Sequence, residues 1–310
     1  MKLRVPFFGP SVRLLVSCCN NGGATFLVEL RGRSPRIQKI IEGGSTGLAI
    51  DRRRGIIYVG LPGGVRSLNR RLQPIYAGHK LPGTDVHDVR VCPEGLAVVE
   101  TAENRLAVYA RPGELAWQWS PGETGGDFSH LNSAIMRNGE WLISMFSAEG
   151  LGGPWAGRLD GVVMRVPASR ATGGEIVARG LKQPHSLLAV DGAIWLCESR
   201  QKRAVRIELD GASPSVVAEL PCYTRGLAVT KEFIIVGQSR SDTHVVRALE
   251  GESEARDPGM CGLWFIPRSG EGRFFVELPA QEVYDVALLP WWVGSRAGRL
   301  LRTHRSNTPP

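Results

Sequence analysis

Several absences in this 310-residue sequence narrow its class. No stretch approaches the ~18–20 consecutive apolar residues of a membrane-spanning helix, so no membrane partner is expected. None of the six cysteines (Cys18, Cys19, Cys92, Cys197, Cys222, Cys261) sits in a C-x-x-C pair. A chain of this length needs no disulfide staples, so reduced core thiols and a cytoplasmic location are expected. Lysine is scarce, supplying only six of the 38 basic residues. The signatures G-x-S-x-G, a Gly-rich phosphate loop and H-E-x-x-H are missing. The opening MKLRVPFFGPSVRLLVSCC has the look of a signal peptide. Pro6, Gly9, Pro10 and Arg13 interrupt it, however, and no clean small-x-small cleavage site follows. Residues 1–11 are read as a leader.

What is abundant is turn chemistry. Glycine at 38 and proline at 20, with 43% hydrophobic and 22% charged residues, describe a globular, turn-rich, all-β chain. The formal net charge is +8. Half of it comes from the end of the chain, where Arg296, Arg299, Arg302 and Arg305 stand in a stretch without acids from Val286 to Pro310. Residues 291–310 lack apolar periodicity and are read as a mobile basic tail. Spaced arginines can neutralise phosphates. Without a recognition motif in the body, nucleic acid is not expected as a partner.

One phrase recurs: polar residues, a short apolar strand, a tight turn and a second strand. It begins at Thr46 (TGLAIDRRRGIIYVG), His87 (HDVRVCPEGLAVVET) and Asn132 (NSAIMRNGEWLISMF), then at His185 (HSLLAVDGAIWLCES) and Arg225 (RGLAVTKEFIIVGQS). A sixth start, YDVALLP, opens at Tyr284 and is not completed. Successive anchors lie 41, 45, 53, 40 and 59 residues apart, a period that suits four strands per unit. Third and fourth strands follow each pair, for example RLAVYAR (105–111) and LAWQWSP (115–121). The sixth unit lacks three strands, and the N-terminus has three to spare: VRLLVSC (12–18), TFLVELR (25–31) and RIQKIIEG (36–43). Pairing the two ends closes a ring and removes exposed sheet edges. The expected architecture is a six-bladed β-propeller over residues 12–290. Its last blade joins three N-terminal strands to one C-terminal strand.

Alternating strand direction sorts the loops by face. First-to-second and third-to-fourth turns are short. The long segments Ala77–Val86, Gly122–His130, Ser147–Asp160 and Ser239–Met260 share the other face, where first strands begin. Loops of such length are often functional, and Trp155 is placed to pack over a pocket there.

Around that channel mouth stand Thr46, His87, Asp88, His130, Asn132, His185, Arg225, Glu282, Tyr284 and Asp285. Convergence of distant polar groups marks a site. Two readings stay open. His87, His130 and His185 with Asn132 are a donor set for a divalent transition metal. Alternatively, histidines move protons while Arg225 grips a carboxylate or phosphate, with Tyr284 beside it. Thr46, Asp88, Asn132, Trp155, Glu282 and Asp285 are the expected ligand contacts. The competing assignment makes Glu282 or Asp285 a structural ion-pair partner of Arg225. Glu100 and Glu198, late in second strands, are read as rim residues. The expected function is an enzyme acting on a small molecule or peptide at the mouth. The alternative is a non-catalytic scaffold that binds a protein or glycan on its loop-rich face.

The segments HLNSA (130–134), GLKQPHSLL (180–188), LPCYTRGLAV (220–229), IIVGQSRS (234–241), CGLWFI (261–266) and QEVYDVALLP (281–290) carry a resemblance. The chain from about Asp85 to Pro290 resembles a bacterial propeller family of unknown function. The resemblance implies the fold and the location of a site, without a reaction. Departures stand at Ser133, Cys222 and Trp291, where the family has glycine, and at Leu187-Leu188, where it has Pro-Arg. The blade phrases are more distantly similar to gluconolactonase and strictosidine-synthase propellers. The former hold a metal with Glu, Asn and Asp, a set largely replaced by histidine here.

Overall fold

The computed structural model describes residues 12–20, 22–31, 34–81, 84–148, 160–168, 171–208, 213–240, 259–270 and 272–293. The leader, the tail beyond Val293 and the centres of the two longest loops lie outside the described residues. Among the described residues, twenty-four strands form six four-stranded antiparallel sheets, each a simple meander. The inner strands of blades 1 to 6 are Leu48–Asp51, Val86–Cys92, Leu131–Arg137, Pro184–Val190, Thr224–Val229 and Glu282–Leu288. Among the described residues, no helix is long and apolar enough to cross a membrane.

Blade 6 is the expected composite. Glu282–Leu288 pairs with Val12–Cys19, which continues outward to Ala24–Arg31 and Ser34–Glu42. Leu14 faces Leu288 and Cys19 faces Glu282, with a bulge at Ser17/Cys18. All eight residues of Val12–Cys19 are buried, because both faces of this strand meet neighbouring structure. The first blade's outer strand, Pro74–Lys80, takes in the opening residues of the expected Ala77–Val86 loop.

Apolar side chains pack between blades. Trp119, Leu131, Trp141 and Met145 fill the space between blades 2 and 3, all essentially without exposure. A second, polar device ties the inner strands together. In four blades the residue after the anchor reaches toward the next blade. Asp88 Oδ2 accepts the Ala134 N–H (3.0 Å), and Ser133 Oγ accepts that of Leu187 (2.8 Å). Ser186 Oγ accepts the Gly226 N–H (2.8 Å), and Asp285 Oδ2 that of Leu48 (3.0 Å). The two remaining blades carry glycine at this position. A Cβ on Gly47 would lie 2.5 Å from Asp88 Cα. Gly226 holds φ +75° with Val286 against it. Thr46 also joins blades, donating its hydroxyl to the Val86 carbonyl (2.7 Å).

Thr46, Asp88 and Asp285 were expected as ligand contacts; their polar atoms are instead committed to inter-blade bonds. Arg90, on the inner strand of blade 2, links to the inner strands of blades 1, 3 and 6. It pairs with Asp88 (3.1 Å) and Asp285 (3.7 Å) and donates to the carbonyls of Leu48 and Ala134 (both 3.0 Å). Burial pushes the Asp88 carboxyl above its ordinary pKa and Asp285 adds to the rise, while Arg90 opposes both.

Candidate active site at the channel mouth

All inner strands begin on the same face. Strand side chains repeat with period two, so the residue two before each anchor shares the mouth with it. In blades 2 to 6 these earlier residues are Asp85, His130, Gln183, Tyr223 and Glu282. Asp85, His130 and Gln183 have left-handed φ of 46°, 49° and 57°, which turns each incoming chain into its inner strand.

Seven side chains close a belt around the axis. Ring centroids are separated by 5.7 Å from Tyr284 to His87 and by 5.0 Å from His87 to His130. The belt continues over 4.4 Å to Phe146, 5.3 Å to His185 and 6.1 Å to Tyr223. Arg225 completes it, with its guanidinium carbon 4.9 Å from the Tyr223 ring centre and 5.3 Å from that of Tyr284. The four expected catalytic residues, His87, His185, Arg225 and Tyr284, are thus brought together. His130 joins them, and Asn132 stands behind His87. Trp155 lies outside the described residues.

Hydrogen-bond partners assign each imidazole a tautomer. The Asn132 amide donates to His87 Nδ1 (3.4 Å), so His87 Nε2–H faces the Asp85 carboxylate (3.2 Å). Asp127 accepts twice from His130: its Oδ2 lies 2.7 Å from Nδ1, and its Oδ1 takes the backbone N–H at 2.9 Å. The Ser199 hydroxyl donates to the Thr224 carbonyl (2.5 Å). Its oxygen therefore accepts from His185 Nδ1–H (2.7 Å), which also faces the Gln183 carbonyl (2.9 Å). His185 Nε2 is left as the acceptor.

Burial lowers the pKa of His130, with Asp127 opposing. Burial and the Arg225 charge hold His185 well below the ordinary histidine value. Burial raises Asp85 and is the largest single effect, but the hydrogen bond from His87 and the charges of His87 and His130 together outweigh it, so the Asp85 pKa is lowered. Burial alone would lower the Arg225 pKa. Tyr223, Cys19, Glu282 and Tyr284 around it raise it instead, so the guanidinium stays charged. Glu282 lies 3.5 Å from Arg225 Nη1. Cys19 Sγ lies 3.6 Å from both Glu282 Oε2 and Arg225 Nη1, and burial pushes its thiol up to about 12, so it stays protonated. Among the described residues, Arg225 Nε and the Tyr284 hydroxyl are buried without a hydrogen-bond partner. Glu282, one of the expected ligand contacts, is the structural counter-ion of Arg225.

The donor set expected to share a metal does not converge. Phe146 stands between His130 and His185 in the belt. Both ring nitrogens of His87 are hydrogen-bonded. A shared zinc would need ring nitrogens ~2.0–2.1 Å from one point. Among the described residues, no group of three or more His, Cys, Asp or Glu side chains is arranged to hold a metal ion. Glu100 and Glu198 are structural. Glu100 accepts from Tyr109 (2.5 Å) and Arg105 (2.6 Å), and Glu198 from Arg203 (2.7 Å) and the Lys182 N–H (3.0 Å).

Sequence reasoning missed Phe146, Tyr223 and Asp127. Tyr223 was accessible to a period-two step back from Arg225. Phe146 follows a second strand, and Asp127 reaches the belt only through the turn before His130.

Residues 72–296 match the family described as a domain of unknown function (DUF4915), and the chain belongs to that family. No curated protein matches it. Among solved structures, a chain of a nidogen/laminin complex is similar with TM-score 0.64 at 10% identity, over 89% of this chain and 97% of that one. A calcium-binding protein, regucalcin, from Agrobacterium tumefaciens aligns with TM-score 0.55 at 12% identity, over 78% and 76%. A luciferin-regenerating enzyme aligns with TM-score 0.56 at 12% identity, over 78% and 79%. At these identities the likeness is one of fold. The fold is shared by a luciferin-regenerating enzyme, by a calcium-binding protein and by a chain from a protein–protein complex.

Proposed function

We propose that the protein is an enzyme acting on a small polar molecule or peptide terminus at the channel mouth, by proton transfer from histidine. The observation that carries this reading is the closed belt. It holds three imidazoles of fixed tautomer beside a charged, buried arginine whose Nε has no partner among the described residues. Arg225 Nε and the Tyr284 hydroxyl are donors for an anionic or carbonyl oxygen of the substrate. Asp127 fixes His130 by its Nδ1 nitrogen, the arrangement that orients a general acid–base. His185 stays neutral near pH 7 and offers Nε2 as an acceptor. The donor set gives no support to a metal-dependent step.

A thermal-shift screen of small carboxylates, phosphate esters and peptides, followed by NMR observation of each binder over time, tests this reading. A binder that is converted by the parent, and bound but not converted by His130→Gln, supports it. A binder that no variant converts transfers the belt to a recognition role. Failure of every compound to bind leaves the scaffold as the better reading.

A further inference from the structure

The face opposite the candidate site carries a feature that the proposed function does not use. Blade 1 turns twice on this face, at Asp51–Gly55 and Asn69–Gln73, and the turns present Arg52, Arg53, Arg54, Arg70 and Arg71, all exposed. Both turns are pinned by side chains. Asp51 Oδ1 accepts the N–H groups of Arg53 and Arg54 (both 2.9 Å), and Asn69 Oδ1 accepts that of Arg71 (2.8 Å). The turns touch, because Arg70 lies flat over Gly55. Asp51 is the one acid between Leu48 and Pro74, and it is buried beneath the turn with Arg54 at 3.4 Å.

Trp292, among the last described residues, lies beside these turns. Trp292 packs into the core with Leu68 and Leu72, and the Arg70 guanidinium carbon stands 5.2 Å from the Trp292 ring centre. Val293 is held through its carbonyl by Arg13 Nη1 (2.5 Å). Trp291, next to them, is 78% exposed. The sequence beyond Val293 adds four arginines and no acid. The basic tail therefore continues from a body surface of the same sign, a juxtaposition that composition alone does not reveal.

We propose that the arginine turns of blade 1, with Trp291, form a docking surface for single-stranded nucleic acid. Guanidinium groups carried on backbone turns that are themselves pinned take successive phosphates by paired N–H donors. The exposed indole of Trp291, one residue before the Trp292 that meets Arg70, gives an unstacked base a platform, the combination that sequence-tolerant single-strand binding uses. Arginine in place of lysine favours this partner, because the planar fork both grips phosphate and stacks on bases.

Anisotropy of a labelled oligouridylate of about 20 nucleotides, titrated with the full chain, tests the proposal. Binding is expected at ~50 mM salt and is expected to weaken at least tenfold by ~200 mM. Arg53→Glu with Arg71→Glu should weaken it about tenfold or more. Trp291→Ala should weaken it about fivefold to tenfold through lost stacking. These side chains are exposed and distant from the belt, and an unchanged melting temperature in each variant verifies the fold. No binding at low salt overturns the proposal. So does full retention in the double charge reversal, which would assign binding to the tail alone. Tighter binding to phosphatidylserine vesicles than to the oligonucleotide, lost in the same double variant, also overturns it by making the surface a membrane contact.

Discussion

Asp127 grips His130 at two points, the ring Nδ1 at 2.7 Å and the backbone N–H at 2.9 Å. One carboxylate thus fixes both the left-handed backbone turn and the ring orientation. The His130 pKa is the balance of burial, which lowers it, against Asp127, which raises it. Removing the Asp127 charge leaves burial unopposed. In Asp127→Asn the His130 titration midpoint should fall, and long-range nitrogen–proton NMR spectra should show weaker preference for the Nδ1–H tautomer. An unchanged midpoint would mean that the carboxylate does not face the ring in solution.

Acid should destabilise the fold through His185. Its folded pKa is held well below the ordinary value, first by burial and then by Arg225. An unfolded chain binds that proton near pH ~6.5, whereas the folded chain refuses it. The contribution is therefore fully present above about pH 6.5 and is lost as pH falls below it. His130 adds to the slope in the same direction. Melting temperature should drop between about pH 7 and about pH 5, with a shallower slope in His185→Gln. A flat profile in the parent would contradict the buried, neutral assignment.

The fold is legible because its strongest signals are local. TGLAI, HDVRV, NSAIM, HSLLA, RGLAV and YDVAL share one strand-start pattern, and the missing strands of the last unit stand at the other end of the chain. Most of the belt is legible for the same reason: His87, His185, Arg225 and Tyr284 are the anchors themselves, and His130 stands two residues before the anchor Asn132. What fails is the assignment one residue further on. Asp88 and Asp285 have the chemistry of ligands, but a single step in a strand moves a side chain from the mouth to the neighbouring blade. Residue type does not record that step. Phe146 was hidden for another reason. Its neighbours in the belt, His130 and His185, come from different parts of the chain, so only the assembled ring places a phenyl group between two imidazoles.

The inter-blade bonds should carry stability in proportion to what their loss strands. Asp88→Ala removes the acceptor of the Ala134 N–H and one of the two carboxylates beside Arg90. Breaking a buried pair of this kind costs about 3–5 kcal/mol. Ser186→Ala strands one buried N–H, at about 1–3 kcal/mol. Urea denaturation of both variants should rank them in that order. Gly47→Ala should be at least as harmful as Ser186→Ala, because its Cβ would collide with backbone that cannot rotate away.

Arg225 holds together two roles that one double-mutant cycle separates. As a structural cation it balances Glu282 at 3.5 Å and packs between two tyrosine rings. As an anion anchor it offers an Nε that nothing among the described residues satisfies. Arg225→Met alone leaves a buried carboxylate without its cation and should cost about 3–5 kcal/mol. Adding Glu282→Gln removes that carboxylate's charge and should recover most of the loss. If stability were the whole role of Arg225, the double variant would also bind ligands found by the thermal-shift screen as the parent does. The unpartnered Nε predicts otherwise. The double variant should melt near the parent temperature yet lose anionic ligands by tenfold or more, roughly the ~1.5–3 kcal/mol of a charged hydrogen bond. Parental affinity in a stable double variant would reduce Arg225 to a packing residue and shift ligand recognition to the histidines.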